Sequence, residues 1–348
     1  MSKKVFVAMS GGVDSSVAAA LLKQRGYEVT GVYMKNWSED LPGHHCPWKE
    51  DYQDAKRVAI QLDIPFKMYD FQKEYKQKVV DYMIDEYKAG RTPNPDITCN
   101  QEVKFKLFLD TALSEGADLI ATGHYSRVKN GKLYSGIDQN KDQSYFLYRV
   151  SPNALKKVLL PIGEYTKPEI RVLAKKFGLA TANKKDSQGI CFVGKVGIRE
   201  FLSKYVESSP GPIIDQFGKV LGEHDGALFY TLGQRQGLKV GGGLPFYVTG
   251  KDMEKNIVYV STNLQDENLW KKDVSLKDFH LLDEEDITNK ELSIRTRYRS
   301  PLVKLLKIHK EDDKNWEVEL SEEVRAITPG QSAVIYDGEH VLGGGIVV

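Results

Sequence analysis

The sequence predicts an α/β N-terminal domain with a doubly wound parallel sheet, then a small mixed or β middle domain and a C-terminal antiparallel β-barrel. Two observations support this prediction. Strand-like and helix-like patterns alternate over the first 125 residues, and short β-type segments separated by turns dominate after about Glu200. We expect domain ranges of 1–200, 201–271 and 272–348.

The N-terminal pattern follows from the order of its apolar segments. Short apolar runs predict strands at Val5–Met9, Glu28–Met34, Phe66–Tyr69 and Ala117–Thr122. Helical periodicity predicts helices at Asp14–Arg25, Glu50–Leu62, Lys73–Lys88 and Val103–Ser114. Such alternation forms a parallel sheet covered on both faces, and ligands bind beyond the carboxyl ends of its strands.

The remainder of the chain has strand-like segments and few helical ones. These segments are Gly226–Leu232, Ile257–Ser261, Leu292–Arg299, Leu302–His309, Trp316–Leu320, Ser332–Tyr336 and Val341–Val348. Closure of the last five into a small barrel or sandwich accounts for this pattern.

Composition excludes several classes of protein. The 348-residue chain is 41% hydrophobic and 10% aromatic, which is ordinary for globular proteins and not for disordered or fibrous ones. No apolar run approaches the ~20 residues that span a bilayer, and the N-terminal apolar stretch is too short for a signal peptide. Three cysteines do not make a secreted disulfide framework. We therefore expect a cytoplasmic protein without a membrane partner.

The near-neutral net charge conceals two opposed halves. The chain has 49 basic and 48 acidic side chains, but residues 1–200 have 31 against 24 and residues 201–348 have 18 against 24. Within residues 121–200 the count is 15 against 6. This basic stretch is either a solvated face or a surface for a polyanion.

A glycine-containing loop, Ser10–Ser16, follows the first predicted strand and opens the first helix. Two glycines allow a tight turn, and the helix N-terminus then presents N–H groups to an anion. Asp14 either holds Mg²⁺ or caps the helix. The alternative is a plain strand-to-helix turn without a ligand.

Two cysteines lie in polar, loop-like contexts. Cys99 precedes the predicted helix at Val103 and follows two prolines, and Asp96 is positioned to orient a substrate group or act as an acid or base. Cys191 follows Lys184 and Lys185, whose charges favour an anionic sulfur. Taken singly, either cysteine fits a small buried hydrophobe equally well.

Metal sites are weaker interpretations of the cysteines. Cys46, Cys99 and Cys191 lack C-x-x-C spacing, and His44-His45-Cys46 crowds its candidate ligands without a second pair. An iron–sulfur centre on Cys99, Cys191 and Asp96 remains an alternative. We predict no metal site and treat Cys46 as structural.

The motifs together resemble a known family. SGGVDSS resembles the pyrophosphate-binding loop of the ATP pyrophosphatase superfamily and differs from the Walker and dinucleotide loops. After it come, in order, TPNPDITCNQEVKF, ATGHYSR, KDQSYFL, KKDSQGICFVG, YTLGQRQGL, RTRYRS and TPGQSAVIYDGEHVLGGGIV. This series resembles the tRNA-specific 2-thiouridylase family, which thiolates the wobble uridine of certain tRNAs. The match runs from residue 5 to the C-terminus.

The resemblance implies an adenine nucleotide α-hydrolase-like N-terminal fold that uses ATP and Mg²⁺. The implied ATP-binding residues are Ala8, Met9, Ser10, Gly11, Gly12, Val13, Asp14 and Ser15 at the phosphates, Met34 at the adenine, and Gly123. Adenylation of the uridine C2 oxygen then makes it a leaving group, with AMP and pyrophosphate as products.

The resemblance also implies how sulfur and tRNA are handled. Cys191 would carry a persulfide, and Cys99 would resolve it to a Cys99–Cys191 disulfide or release hydrosulfide, with Asp96 as the third catalytic residue. A cysteine desulfurase or relay protein would donate the persulfide. The implied tRNA-binding residues are Asn94, Pro95, Asp96, Lys141, Asp142, Gln143, Arg297, Tyr298 and Arg299. Tyr298 is alternatively a plain strand residue.

Two other functions compete with this one. A different pyrophosphatase-loop ligase or amidase, acting on a nucleotide or amino acid, would need an ammonia source and no paired thiols. The chain has the thiols and no recognisable glutaminase domain. A nucleotide-regulated RNA-binding module would not need either cysteine.

Overall fold

The computed structural model describes residues 2–40, 45–185, 197–241, 243–282, 287 and 291–348. The α-helices are α1 (Val13–Gln24), α2 (Trp48–Gln61), α3 (Gln72–Tyr75), α4 (Asp81–Lys88), α5 (Pro95–Cys99), α6 (Phe108–Ser114), α7 (Pro152–Leu155), α8 (Lys167–Lys176) and α9 (Ile198–Leu202). Segments Lys76–Val80 and Asn100–Leu107 are π-helical, and Ser144–Leu147, Ala227–Phe229 and Glu267–Leu269 are 3₁₀ turns.

The strands belong to three sheets. In chain order they are β1 (Lys4–Ala8), β2 (Glu28–Lys35), β3 (Phe66–Asp70), β4 (Leu119–Ala121), β5 (Ser126–Lys129), β6 (Lys132–Ser135), β7 (Val158–Leu159), β8 (Gly211–Asp215), β9 (Val220–His224), β10 (Tyr247–Asp252), β11 (Ile257–Ser261), β12 (Trp270–Leu281), β13 (Ser293–Arg295), β14 (Val303–Lys310), β15 (Trp316–Arg325), β16 (Ser332–Asp337) and β17 (His340–Val347).

The first sheet is parallel and has the order β3-β2-β1-β4-β7. Its central strand β1 is apolar on both sides because both faces are covered by helices. Val5 and Val7 pack with residues of α1 and α8, whereas Phe6 and Ala8 pack with residues of α4 and α6. The predicted doubly wound parallel sheet is confirmed.

The helix predicted from Val103 begins earlier, at Pro95. Asn94 is its N-cap, with the Asn94 side-chain oxygen accepting from the Asp96 N–H at 3.2 Å. Proline is favoured at the first helical position because its missing N–H has no helical partner there. The expectation that Cys99 lies just before a helix is therefore wrong, since Cys99 is the last residue of α5 and the chain continues as π-helix.

The second sheet is small and mixed, with the order β10-β11-β8-β9. The strand predicted at Gly226–Leu232 is wrong, because part of this segment forms a 3₁₀ turn. Side chains supply its backbone bonds: the Gly226 N–H donates to His224 Nδ1 at 2.9 Å, and the Ala227 N–H donates to Asn256 Oδ1 at 3.0 Å. These partners remove the need for a neighbouring strand.

The C-terminal strands form a closed antiparallel barrel in the order β12-β15-β14-β13-β16-β17, and pairing of β12 with β17 closes it. Glycine permits the closure, since a Cβ on Gly343 would collide with the His280 carbonyl of β12. Leu276, Ile294, Val318 and Ile335 are among the residues that fill its core. The predicted barrel is confirmed.

The N-terminal region contributes a hairpin to the barrel sheet. Strands β5 and β6 pair with each other, and β6 pairs with β17 through Tyr134 and His340. The Arg127 guanidinium lies 2.8 Å from the Glu339 carboxylate across the same junction. The sequence did not predict this hairpin. Among the described residues, no helix is both long enough and apolar enough to span a membrane.

Candidate active site

The loop after β1, Ser10–Ser16 (the Gly11 loop), is shaped by glycine. Gly11 has a φ of +75°, and a Cβ there would collide with the Asp51 carbonyl of α2. The Ser10 N–H donates to Ser15 Oγ at 3.1 Å, and Ser16 Oγ donates to the Gly12 carbonyl at 2.7 Å. The N-cap of α1 is Gly12, which has no side chain to cap the first backbone N–H groups of the helix. The helix N-terminus can therefore bind an anion through these N–H groups.

Asp14 lies in the first turn of α1 and does not cap the helix. Its carboxylate accepts from the Tyr125 hydroxyl at 2.7 Å and from Lys167 Nζ at 2.8 and 2.9 Å. Lys167 is the first residue of α8, and its side chain is only 12% exposed. Sequence reasoning missed Lys167 because no spacing rule connects the residue to a loop about 150 positions earlier.

The other residues expected at the nucleotide lie in three kinds of position. Gly123 abuts the loop, since a Cβ there would lie 2.7 Å from the Ser15 backbone nitrogen. Met34 is half-buried near the end of β2. The side chains of Ala8, Met9 and Val13 are buried in the core, so any ligand contact from them comes through the backbone.

Asp96 and Cys99 share the short helix α5. Cys99 is 3% exposed, and Asp96 is partly buried. Burial raises the pKa of the Asp96 carboxyl, and the nearby Lys104 ammonium offsets only part of that effect. Asp96 therefore retains its proton to a higher pH than an exposed aspartate, as an acid or base catalyst requires.

His124 is a second buried titratable group near Lys104. Its Nδ1 lies 2.6 Å from the Thr122 hydroxyl oxygen, and its ring centroid lies 5.5 Å from that of Phe105. Burial, with a contribution from the Lys104 charge, holds the pKa of His124 well below its usual range, so the imidazole is neutral at pH 7. His124 belongs to the ATGHY motif, of which the resemblance implies only Gly123 as a site residue. The motif does not show that the histidine is buried, so its shifted pKa was not predicted.

Cys191 lies outside the described residues, so the structure does not test its approach to Cys99. Lys184, seven positions earlier, is described. Its Nζ lies 2.7 Å from a carboxylate oxygen of Asp51 and 2.7 Å from one of Asp54, both on α2. Its charge is therefore paired with two carboxylates beside the Gly11 loop.

The two polar segments expected to contact tRNA lie side by side. Arg299 Nη2 donates to the Asn140 carbonyl at 3.1 Å, beside Lys141. Tyr298 is partly buried, with its ring centroid 4.3 Å from that of Phe146, which favours a packing role for much of the ring. Arg297 and Arg299 are exposed.

The side chains of Asp142 and Gln143 form hydrogen bonds within the protein. Asp142 is buried, and its carboxylate accepts from the Gly136 N–H at 2.9 Å and the Ser144 N–H at 3.0 Å. Gln143 Oε1 accepts from the Tyr125 N–H at 3.0 Å. Both side chains shape the segment that carries Lys141.

Cys46 has structural contacts. Its thiol donates to the Trp37 carbonyl at 3.8 Å, and burial raises its pKa. Within the ranges that the structure describes, no three histidine, cysteine, aspartate or glutamate side chains group as a metal site.

Family models match successive parts of the chain. They are described as the tRNA methyl transferase HUP domain at residues 3–195, the tRNA methyl transferase PRC-barrel domain at 199–262, and the aminomethyltransferase β-barrel domain at 271–347. The chain is also 47% identical over 351 residues to the tRNA-specific 2-thiouridylase MnmA of Bacillus subtilis (strain 168), covering 99% of this chain and 94% of that one.

The chain belongs to the tRNA-specific 2-thiouridylase family. The MnmA protein of Listeria monocytogenes serotype 4b (strain F2365) is 48% identical over 350 residues, with the same shares covered. The resemblance identified from the motifs is confirmed. Among solved structures, the match to a 4-thiouridine synthetase–RNA complex with bound ATP covers 58% of this chain and 50% of that one, at 20% identity and a TM-score of 0.40.

Replacement of Asp96 by Asn tests the buried carboxyl of this family member. Because the folded-state pKa is raised, the native protein loses stability as pH rises from the ordinary aspartate value of about 3.9 through the raised value. Asp96→Asn does not titrate, so its stability relative to wild type should increase from pH 4 to 7. Urea unfolding at several pH values measures this difference, and parallel stability profiles would contradict it.

Replacement of Lys167 by Met tests the ion pair to Asp14. Loss of a charge-assisted contact worth about 1.5–3 kcal/mol should lower kcat/KM for ATP by roughly 10- to 100-fold. Pyrophosphate release at varied ATP concentration measures the effect. Lys175→Met, an exposed change on the same helix, is the control and should behave as wild type. Equal kinetics for the two variants would exclude Lys167 from the nucleotide step.

Proposed function

We propose that the chain is an ATP-dependent tRNA sulfurtransferase that replaces the C2 oxygen of the wobble uridine with sulfur. One observation carries this proposal beyond family membership. The segment Gly123–Tyr125 contacts both halves of the site: Gly123 and Tyr125 lie against the Gly11 loop and α1, and His124 lies against the helix that continues from Cys99. Nucleotide activation and sulfur transfer would therefore take place at adjoining surfaces.

The loop Ser10–Ser15 fits a nucleotide phosphate. Its glycine conformation, the serine hydroxyls and the N-terminus of α1 together make an anion cradle that a Cβ on Gly11 would disrupt. Bound there, ATP would supply the adenylyl group that makes the uridine oxygen a leaving group. Lys167 would neutralise phosphate charge, and the Asp14 carboxylate offers an oxygen ligand of the kind that Mg²⁺ prefers.

Asn94, Pro95 and Asp96 would hold the target base. They lie at the N-terminus of α5, one turn before Cys99, so a base held by them would be close to the thiol. The Asp96 carboxyl, whose pKa is raised by burial, would form a hydrogen bond with the base, and the neutral imidazole of His124 lies against the helix that continues from Cys99. The uridine must leave its stack to reach these groups.

Sulfur would pass through two cysteines. A persulfide on Cys191 would attack the activated C2 with its terminal sulfur, and AMP would leave. The Cys99 thiolate would then attack the Cys191 sulfur, which releases 2-thiouridine and leaves a Cys99–Cys191 disulfide. A persulfide donor must load Cys191 and a reductant must reset the pair. The role of Cys191 rests on the KKDSQGICFVG motif.

The proposed tRNA surface consists of exposed arginines and the neighbouring segment Lys141–Gln143. Arg297 and Arg299 are exposed, and Arg299 bonds the backbone next to Lys141. Phosphate contacts of this kind fix the register of an RNA without reading its sequence. The basic excess of residues 1–200 supports the same orientation of tRNA toward the N-terminal domain.

Mass spectrometry of tRNA incubated with the protein, ATP, Mg²⁺ and a persulfide donor tests the proposal. We expect one oxygen-to-sulfur exchange at the wobble uridine, dependent on ATP. Ammonia incorporation would instead favour an amidating enzyme, and tRNA binding without any change in mass would favour a binding module.

Serine substitutions separate the two cysteines from the nucleotide step. Cys191→Ser should abolish thiolation, whereas Cys99→Ser should stop multiple turnover, since the resolving thiol is lost. Both variants should still release pyrophosphate in the first turnover at near the wild-type rate. Cys46→Ser is the matched control and should retain activity, because that thiol bonds the backbone at Trp37 and Trp48. Full turnover by Cys99→Ser would remove that residue from the mechanism.

A further inference from the structure

The segment Arg91–Pro93, directly before α5, is where the three parts of the chain meet. Arg91 is held by the N-terminal domain: its guanidinium makes two bonds of 2.6 Å to the Glu86 carboxylate of α4. Thr92 contacts the middle domain, with its hydroxyl 3.1 Å from that of Thr231. The segment is therefore held by both the N-terminal domain and the middle domain.

The barrel supplies the third side through its turn Pro329–Gln331, which joins β15 to β16. The Thr92 N–H donates to the Pro329 carbonyl at 2.9 Å. Gln331 Nε2 donates to the Thr92 carbonyl at 2.7 Å and lies 3.5 Å from the Pro93 carbonyl. The barrel thus satisfies both backbone groups of Thr92.

The approach of the turn to this segment is close enough to require glycine. Gly330 has a φ of +89°, and a Cβ there would lie 2.8 Å from the Thr92 nitrogen and 3.0 Å from the Arg91 Cβ. The turn is itself rigid, because the Gly330 N–H bonds the Val347 carbonyl and the Val347 N–H bonds the Gln331 carbonyl. A rigid turn therefore contacts the backbone of the segment that leads to Cys99.

Little separates this contact from the proposed chemistry. Pro93 follows Thr92, Asn94 caps α5, and Asp96 and Cys99 lie on that helix. Proline fixes φ at residue 93, which removes one of the two backbone torsions that could absorb a displacement at Thr92. A shift of about 1 Å in a reacting group can cost about 100-fold in rate.

We propose that the turn Pro329–Gln331 positions the catalytic helix α5, with Gln331 as the positioning residue whose amide holds the Thr92 carbonyl. This inference rests on the proposed function, because it assigns Gln331 a role in the sulfur-transfer half of that reaction. The barrel then acts in catalysis through the backbone of the active-site loop, without contacting substrate.

Gln331→Met tests the amide, since methionine has a similar length and no N–H donor. We expect kcat for tRNA thiolation to fall about tenfold, whereas KM for ATP stays unchanged because the Gly11 loop makes none of these contacts. Gln331→Glu keeps the side-chain shape and also lacks the donor, and it should show at least the same loss because its carboxylate repels the Thr92 and Pro93 carbonyls. It serves as the second test if the Met variant fails to fold.

Glu339→Gln is the matched control, because it weakens a different contact between the barrel and the N-terminal region, the ion pair to Arg127. It should retain wild-type kcat. The alkylation rate of Cys99 by iodoacetamide, read by mass spectrometry, should change in both Gln331 variants and not in Glu339→Gln. Wild-type kcat and Cys99 reactivity in a folded Gln331 variant would overturn the positioning role.

Cys99→Ser separates this inference from the proposed function. If Cys99→Ser retains full turnover, the function assigned to that thiol fails, whatever the Gln331 variants do. If Cys99→Ser is inactive and the folded Gln331 variants equal wild type, only the positioning role fails. A loss of kcat in Glu339→Gln equal to that in Gln331→Met would also overturn it, since any weakening of the barrel contact would then suffice.

Discussion

The close approach of Gly123 to the start of α1 is the constraint on which the site depends. A side chain at position 123 would collide with the backbone of Asp14 and Ser15. Because β1 and β4 are neighbours in the parallel sheet, the segments that leave their carboxyl ends must share one small volume. Glycine lets them share it, and the next two residues, His124 and Tyr125, then reach the Cys99 helix and Asp14.

Charge in this region is arranged by pairing and by burial. Asp14 is paired with Lys167, and Lys184 is paired with Asp51 and Asp54 of α2, so both lysines beside the Gly11 loop have carboxylate partners. Near α5 the opposite applies: burial keeps Asp96 and His124 biased toward their neutral forms. Groups with shifted pKa values are suited to proton transfer, whereas the ion pairs fix the positions of the lysines and aspartates around the loop.

The sequence predicted an element well where the signal for that element lies in neighbouring residues. Buried parallel strands were predicted closely because a short apolar run bounded by turn residues is typical of a strand covered on both faces. The start of α5 was predicted eight residues too late, because the prolines of TPNPD suggested a loop, whereas Pro95 occupies the first helical turn behind an Asn94 cap. The hairpin β5–β6 was missed although its Asn130-Gly131 turn, with positive φ at both residues, is a local hairpin signal. Only the pairing of β6 with β17, about 200 residues away, has no local signal.

By itself, the sequence determined the doubly wound sheet, the barrel, the glycine loop and the family, since periodicity and ordered motifs are properties of the chain. It did not determine which side chains meet. Lys167 pairs with Asp14, and Gln331 contacts Thr92 from about 240 positions away. Burial by distant parts of the chain shifts the pKa values of Asp96 and His124. Only tertiary packing decides such contacts, because burial and hydrogen-bond geometry depend on distance in space and have no local signal in the sequence.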